Sequence, residues 1–577
     1  MEQQVKQVPY GVADFATVIE QNLYYVDKTM IIPELEKQPR NLFFIRPRRF
    51  GKSIFLSMLY SYYDCTQSHK FQSLFGNLWI GQHPTPLQGK YQVLFLDFSQ
   101  ITGNIDKLET KFNSYLSINL DAFVRQYSEY YQAEMEEILA QEDFEEKMEL
   151  IFKAAKAHQY HLYLIIDEYD NFTNVILNER GENVYHAITH ADGFYRDVFK
   201  KFKGNFERIF MMGVSPVTLD DVTSGFNIGW NISIKPEFDE MLGFSTTDVV
   251  EMFTYYKEHG SIPGDSDIDA IVNDMKPWYD NYCFAINRYG QVTMYNSVMV
   301  LYFIDQYIHN NCDIPRDMIE DNIRVDYNKL RMLIRHDKEF AHDASIIQHL
   351  VTDGFVTGNL KRGFPAESIN DPDNFVSLLF YFGMLTIDGT YRGKTKFVIP
   401  NEVVREQIYA YLLSTYKENE LAYDTYQKSD LESGFAYDGD YKSYFGFIAD
   451  AIKRYSSQRD RQKGESYVHG FTLAMTCQNM FYRPISELDN QAGYADIFLR
   501  PLLENYPDME HSYIVELKYC KSDATDEQVA KLREAAIAQV NRYADSDVVK
   551  SEVKTTRLHK IVVIFRSVDM VVCEEIE

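Results

Sequence analysis

Three sets of residues have the types and spacing to do chemistry. The first is Arg46-Pro-Arg-Arg-Phe-Gly-Lys-Ser53, where Gly51, Lys52 and Ser53 follow an apolar run. A loop of this kind aims backbone N–H groups and a helix N-terminus at a polyphosphate, with the lysine on the outer phosphates and the serine hydroxyl on Mg²⁺. The cations Arg46, Arg48, Arg49 and Lys52, with Phe50 among them, are assigned to the phosphates of a nucleotide. The second set is Asp167-Glu168 at the end of His161-Leu-Tyr-Leu-Ile-Ile. Strand alternation would send the two carboxylates to opposite sides, Asp167 toward Mg²⁺ and Glu168 toward an attacking water. The third set is Asp496, Glu516 and Lys518. Glu516 and Lys518 share one strand face, and with Asp496 they make a donor set for a hard divalent cation beside a lysine that acts on water or phosphate. A plain Glu–Lys pair on an exposed hairpin is the alternative.

The elements that must position these residues are legible as patterns. Asn41-Leu-Phe-Phe-Ile45 reads as a short buried strand, and Ile54, Phe55, Met58, Leu59 and Tyr62 recur at helical spacing behind the loop. Tyr91–Phe98 and Phe206–Val214 read as further strands, and the stretch from Ile105 to Lys156 as helical. Strands alternating with helices imply a parallel sheet whose carboxyl ends carry Gly51, Asp167 and Ser215. Residues from Ser245 to about Asn370 read as mostly helical. Phe375–Tyr381, Met384–Ile387, a turn at Asp388-Gly389 and Lys396–Ile399 suggest a helix-plus-hairpin unit like a winged helix. Near the end, Gly493–Leu499, Ser512–Lys518 and Leu558–Phe565 read as strands.

The usual loop pattern has glycine where Arg46 stands. Pro47–Ser53, Ile165-Ile-Asp-Glu-Tyr-Asp170, Tyr25-Val-Asp-Lys28 and Met212-Gly-Val-Ser215 together resemble the bacterial AAA-ATPase-like family, in which the arginine-rich loop is the rule. Tyr279–Phe284, Tyr295-Asn-Ser297 and Leu378–Thr386 resemble that family's later blocks, so the likeness covers about the first 400 residues. It implies that Ser215 is a polar sensor of the terminal phosphate; an ST-turn ahead of Pro216 is the other reading. Asp496 and Glu516-Leu-Lys518 resemble the PD-(D/E)XK nuclease superfamily, in the branch fused to such ATPases. That resemblance implies a metal-site role for Glu465, the early helical glutamate, and an orienting role for Gln539, paired with Tyr543 on one helix face. His469 is assigned to packing or hydrogen bonding.

Composition bounds the class. The chain has 577 residues, 45% hydrophobic and 25% charged, enough for more than one core. A net charge of −27 excludes a protein that coats nucleic acid through bulk electrostatics, so contact with DNA or RNA must be local. The six cysteines form no Cys-x-x-Cys pair, and neither a signal peptide nor a membrane span is expected. The expected fold is α/β: a P-loop NTPase parallel sheet over 1–240, a helical and winged-helix-like extension over 241–415, a connecting region over 416–445 and a restriction-endonuclease-like domain over 446–577. The expected cofactors are ATP and Mg²⁺, with Mn²⁺ an option at the nuclease site. The expected setting is cytoplasmic, without a membrane partner and with room for a homo-oligomer. The expected activity is an ATPase coupled to a metal-dependent nuclease; the second reading is a nucleotide-dependent switch or scaffold whose nuclease-like domain only binds.

Overall fold

The computed structural model describes residues 5–101, 107–171, 193–217, 229–315, 317–320, 346–417, 425–455, 465–485, 497–503 and 505–577. The chain divides into two compact units, Met1–Ile323 with Thr357–Asn401, and Arg324–Val356 with Glu402–Glu577.

The first unit is built on a five-stranded sheet of β1 (Asn41–Ile45), β2 (Gln92–Asp97), β3 (Leu162–Asp167), β4 (Arg208–Gly213) and β5 (Trp230–Asn231), in the order β2-β3-β4-β1-β5. Every pairing is parallel. β1 and β3 are buried along their whole length, which is why they read as unbroken apolar runs and not as alternating ones. The register sets Ile45 beside Gly213 and Asp97 beside Asp167, so the loops after these strands emerge at one edge of the sheet.

The helix after β1, Lys52–Tyr63, buries Phe55, Leu56, Met58, Leu59, Tyr62 and Tyr63. That stripe recurs every three to four residues and faces the core, and each such side chain contributes roughly 1.5–3 kcal/mol. Asp64 ends the helix in an extended conformation; its carboxylate accepts the Thr66 N–H and the Tyr127 hydroxyl. The region expected to be helical from Ile105 to Lys156 comprises three helices, Leu108–Gln126, Met135–Leu139 and Phe144–His158.

The helix-plus-hairpin unit is present as Pro372–Tyr381 with antiparallel strands Thr386–Tyr391 and Lys394–Val398. Its turn is displaced from the expected Asp388-Gly389. Arg392 and Gly393 both take positive φ, 48° and 83°, and these two residues reverse the chain.

The second unit carries a five-stranded sheet of Tyr482–Ile485, Ile497–Pro501, His511–Cys520, Arg557–Arg566 and Asp569–Ile576, in chain order. The His511 and Arg557 strands are parallel; the other pairings are antiparallel. The helix Asp526–Ala544 packs on this parallel pair through Val529, Ala536, Val540 and Tyr543. Residues 425–438, which composition placed in a connecting stretch, form the helix Thr425–Ser433 and the π-helical turn Gly434–Asp438. Phe435 is fully buried, stacked 3.9 Å from Tyr513 and 4.5 Å from Tyr444. Phe435, with the buried Ala436 beside it, anchors that polar run to the core.

Candidate nucleotide and nuclease sites

The phosphate loop joins β1 to its helix through a left-handed Arg49 (φ 70°) and Gly51 (φ 87°). Glycine reaches that region without the steric cost a Cβ would bring. Lys52 follows immediately, 5% exposed, with Nζ donating to the carbonyls of Arg46 (3.2 Å) and Pro47 (3.0 Å). Ser53 Oγ donates to Asp167 Oδ2 at 2.5 Å, and Lys52 Nζ lies 3.9 Å from Glu168 Oε1. The structure therefore brings Gly51, Lys52, Ser53, Asp167 and Glu168 to one place. Burial, joined by the charge of Glu168, lifts the Asp167 carboxyl to about 6, while the Ser53 hydrogen bond pulls it down.

Glu168 corrects the expected strand alternation. β3 ends at Asp167, and Glu168 already has φ 51°, so its direction is set by a turn that returns it toward Lys52. Ser215 is 1% exposed; its Oγ accepts the Val217 N–H at 3.3 Å, which is the ST-turn contact.

Arg46 corrects the assignment of all four loop cations to phosphate. Its side chain is 1% exposed and turned inward, between the rings of Phe44 (4.2 Å) and Phe284 (4.1 Å). Nη1 donates to the carbonyls of Ile45 (3.1 Å) and Ser233 (2.6 Å), and Nη2 to that of Phe238 (3.0 Å). Burial lowers its pKa to about 10, with the charge of Asp239 opposing. Arg48 and Arg49 remain part-exposed at the loop, and Phe50 is buried edge-on to Tyr282 and Phe284.

The later blocks form the walls of the loop. Asn296 caps the helix Ser297–His309 and donates from Nδ2 to the Arg48 carbonyl at 3.3 Å. Ser297 Oγ (3.1 Å) and the Val298 N–H (3.2 Å) both reach the Arg49 carbonyl. Gly383 lies against Pro47, where a Cβ would come within 2.7 Å of the proline Cβ, and its carbonyl accepts the Tyr282 hydroxyl at 3.2 Å. Asn296, Ser297 and Gly383 were absent from the sequence-based site set. The blocks Tyr295–Ser297 and Leu378–Thr386 that hold them stood out in the sequence only as likeness, without a part in the site.

In the second unit, Glu516 is fully buried on the His511–Cys520 strand, and Lys518 Nζ lies 2.7 Å from its Oε1. Both side chains thus occupy one strand face, as alternation required. Gln539 is half-buried on the adjoining helix and donates to the Tyr543 hydroxyl at 3.4 Å. Asp496 lies outside the described residues. Ile497, next to it, pairs with Val515, the neighbour of Glu516. Glu465 opens the helix Glu465–Cys477, and its side chain is likewise outside what is described. On the opposite strand face His511 Nδ1 is 2.8 Å from His559 Nε2, and His559 Nδ1 is 2.9 Å from Glu575 Oε1.

A parallel sheet whose carboxyl ends gather a Gly-Lys-Ser loop, an aspartate on the serine and a glutamate near the lysine defines a P-loop nucleotide-binding unit. Comparison with known families agrees: residues 9–223 match the AAA-ATPase-like family, described as predicted AAA-ATPase. Residues 463–575 match the PD-(D/E)XK nuclease superfamily, so the chain joins an AAA-ATPase-like region to a C-terminal PD-(D/E)XK region. Families of these two kinds generally use nucleotide and divalent metal.

A curated relative is the uncharacterized protein in the vnfD 5′ region of Azotobacter chroococcum mcd 1, 26% identical over 286 residues. The match spans 48% of this chain and 48% of that protein. Among solved structures, Cdc6p from Pyrobaculum aerophilum aligns at 10% identity and TM-score 0.24, covering 66% of this chain and 91% of that one. The ORC2 protein of Aeropyrum pernix, in ADPNP–ADP complexes, aligns at 12% identity and TM-score 0.28, covering 72% and 98%. Overlaps this loose add nothing to the sheet already described. Among the described residues no helix is long and apolar enough to cross a membrane.

Proposed function

We propose that the protein binds and hydrolyses ATP with Mg²⁺ in its first unit and that the nucleotide state governs a metal-dependent phosphodiester cleavage in its second. The observation that carries the reading is the convergence of Ser53 and Asp167 at 2.5 Å, with Lys52 and Glu168 beside them. Two oxygen donors meeting at a helix N-terminus fit a hard cation, which when bound would neutralise charge between the outer phosphates. Lys52 leaves the loop carbonyls for the outer phosphates, and Arg48 and Arg49 supply further positive charge. Glu168 orients the attacking water and accepts its proton. Ser215 meets the terminal phosphate. Of the four stretches read as domains, 1–240, 241–415, 416–445 and 446–577, the first carries the nucleotide roles and the last the cleavage roles.

At the second site the buried Glu516 carboxylate fits a hard cation, with Asp496 and Glu465 completing the donor set by resemblance; Mg²⁺ or Mn²⁺ there would polarise the scissile phosphate. Lys518, held at Glu516, acts on the water and the developing negative charge, and Gln539 orients the site. A cytoplasmic location and assembly of several copies on one nucleic acid fit this reading, since the net charge of −27 opposes approach to a polyanion by a single local site.

The test is cleavage of single- and double-stranded DNA and RNA with Mn²⁺ or Mg²⁺, with and without ATP, by the wild-type chain and Asp496→Asn. Metal-dependent cutting lost in Asp496→Asn supports the reading. Equal products from both proteins on every substrate would leave the nucleotide-dependent scaffold in its place.

A further inference from the structure

We propose that Tyr169 and Asp170 form a clamp across the ends of β3 and β4, and that Asp170 is a positioning residue acting on the water-orienting Glu168 and on the loop of Ser215. The inference rests on the nucleotide-hydrolysing reading of the first unit and adds to it the device that sets its geometry.

Neighbouring strands in a parallel sheet have no tight turn between their ends, so the ladder alone does not fix the loops that leave them. Here the side chains after Asp167 do so. Glu168 holds φ 51°, a strained conformation for a non-glycine residue that persists only where its surroundings over-determine it. Those surroundings are explicit. The Asn171 N–H donates to the Glu168 carbonyl at 3.0 Å, and the Tyr169 N–H to the Met212 carbonyl at 3.3 Å. The Tyr169 hydroxyl crosses to the Ser215 carbonyl at 2.9 Å, and Tyr195 donates its hydroxyl to the Tyr169 carbonyl.

Asp170 completes the clamp. Its side chain is fully buried, and its carboxylate accepts the Val214 N–H at 3.2 and 3.0 Å and the Ser215 N–H as well. These contacts tie the loop to a residue that follows Glu168 by two positions. Gly213 makes the approach feasible: a Cβ there would lie 2.4 Å from Asp170 Oδ1 and 2.5 Å from Tyr169 Cε1. The clamp thus joins the two groups that the proposed hydrolysis uses.

The experiment measures Mg·ATP affinity and turnover for the wild-type chain, Glu168→Gln, Asp170→Asn, Tyr169→Phe and the double variant Glu168→Gln/Asp170→Asn, with thermal midpoints alongside. Positioning predicts a Kd close to wild type in both single clamp variants. It predicts kcat lower by about tenfold or more, since displacement of a reacting group by about 1 Å costs on the order of a hundredfold. The double variant should be slowed by clearly less than the product of the single effects, because the part of Asp170's action that runs through Glu168 is already removed. If Asp170→Asn fails to fold, Tyr169→Phe decides, as it removes only one hydroxyl contact. Wild-type kcat in the folded clamp variants overturns the proposal, as does a double variant slowed by the product of the single effects. Hydrolysis that Glu168→Gln leaves unchanged overturns the site reading beneath it, an outcome recognisable whatever Asp170→Asn does.

Discussion

Ser53 Oγ and Asp167 Oδ2 are 2.5 Å apart although their residues lie 114 positions apart in the chain. The contact requires β1 and β3 to flank β4 in register, and it places a helix N-terminus against a carboxylate, where the helix dipole favours negative charge. Glu168→Gln should separate binding from turnover here. It removes the proton acceptor, leaves this contact intact, and should retain ATP while lowering kcat by about a hundredfold, as loss of a general base does. Steady-state hydrolysis at saturating ATP checks it; an unchanged rate would assign the water to another group.

Arg46→Ala should destabilise the first unit and not merely weaken phosphate binding. The guanidinium satisfies carbonyls of Ile45, Ser233 and Phe238 in a fully buried setting. Hydrogen bonds to charged groups are worth about 1.5–3 kcal/mol each, so the loss should be about 3 kcal/mol or more. Arg46→Gly, which restores the common loop pattern, should be no better. Denaturant unfolding would show this; a glycine variant as stable as wild type would contradict the structural role.

How much could be read beforehand follows from these residues. β1 and β3 were legible because a parallel sheet buries both faces and leaves unbroken apolar runs. The inward turn of Arg46 was not, because its acceptors at Ser233 and Phe238 lie 187 and 192 positions away. Glu168 was misread because alternation holds only while the strand lasts, and its backbone has already left the β region. At Asp388-Gly389 a strong local turn signal yielded to Arg392-Gly393, where two successive positive φ values match the twist of the flanking strands. The face shared by Glu516 and Lys518 was legible from strand period alone, and the ion pair bears it out.

Gly383→Ala should weaken ATP binding from a distance in sequence. Its φ of +78° and the 2.7 Å approach to Pro47 leave no place for a Cβ, so the loop or the Phe380–Met384 turn must shift. A cost of about 1–3 kcal/mol is expected in stability, with Kd for ATP raised. Calorimetric titration beside a thermal scan tests it; unchanged values would mean the later block does not shape the loop.

The second unit should lose stability as the pH falls below about 6.5. Burial holds His559 below its ordinary pKa, against the pull of Glu575, with His511 and Arg557 adding positive charge nearby. The unfolded chain then binds more protons than the folded one. The stability is fully present above the unfolded value and declines as pH drops toward the folded one. His559→Gln should flatten that slope, as followed by unfolding midpoints between pH 7.5 and 5 at about half-unit steps. A slope identical to wild type would remove His559 from the account.

Lys518→Met should lower cleavage by about a hundredfold, in the range seen when one group stabilising transition-state charge is removed. It should also expose how the buried Glu516 carboxylate depends on its 2.7 Å partner, with added Mn²⁺ raising the thermal midpoint by replacing the lost cation. A midpoint indifferent to Mn²⁺ would argue against metal at Glu516.

The most direct measurement of the central claim is a titration of the full chain with Mg·ATP by calorimetry, comparing wild type with Lys52→Ala. The Lys52 ammonium rests on the loop's own carbonyls, 3.2 and 3.0 Å away, next to the Ser53–Asp167 contact. Saturable one-site binding by wild type, weakened at least about tenfold in Lys52→Ala by loss of about 1.4 kcal/mol or more, is the result expected. Equal heats and equal Kd for the two proteins, or none from wild type, would contradict it.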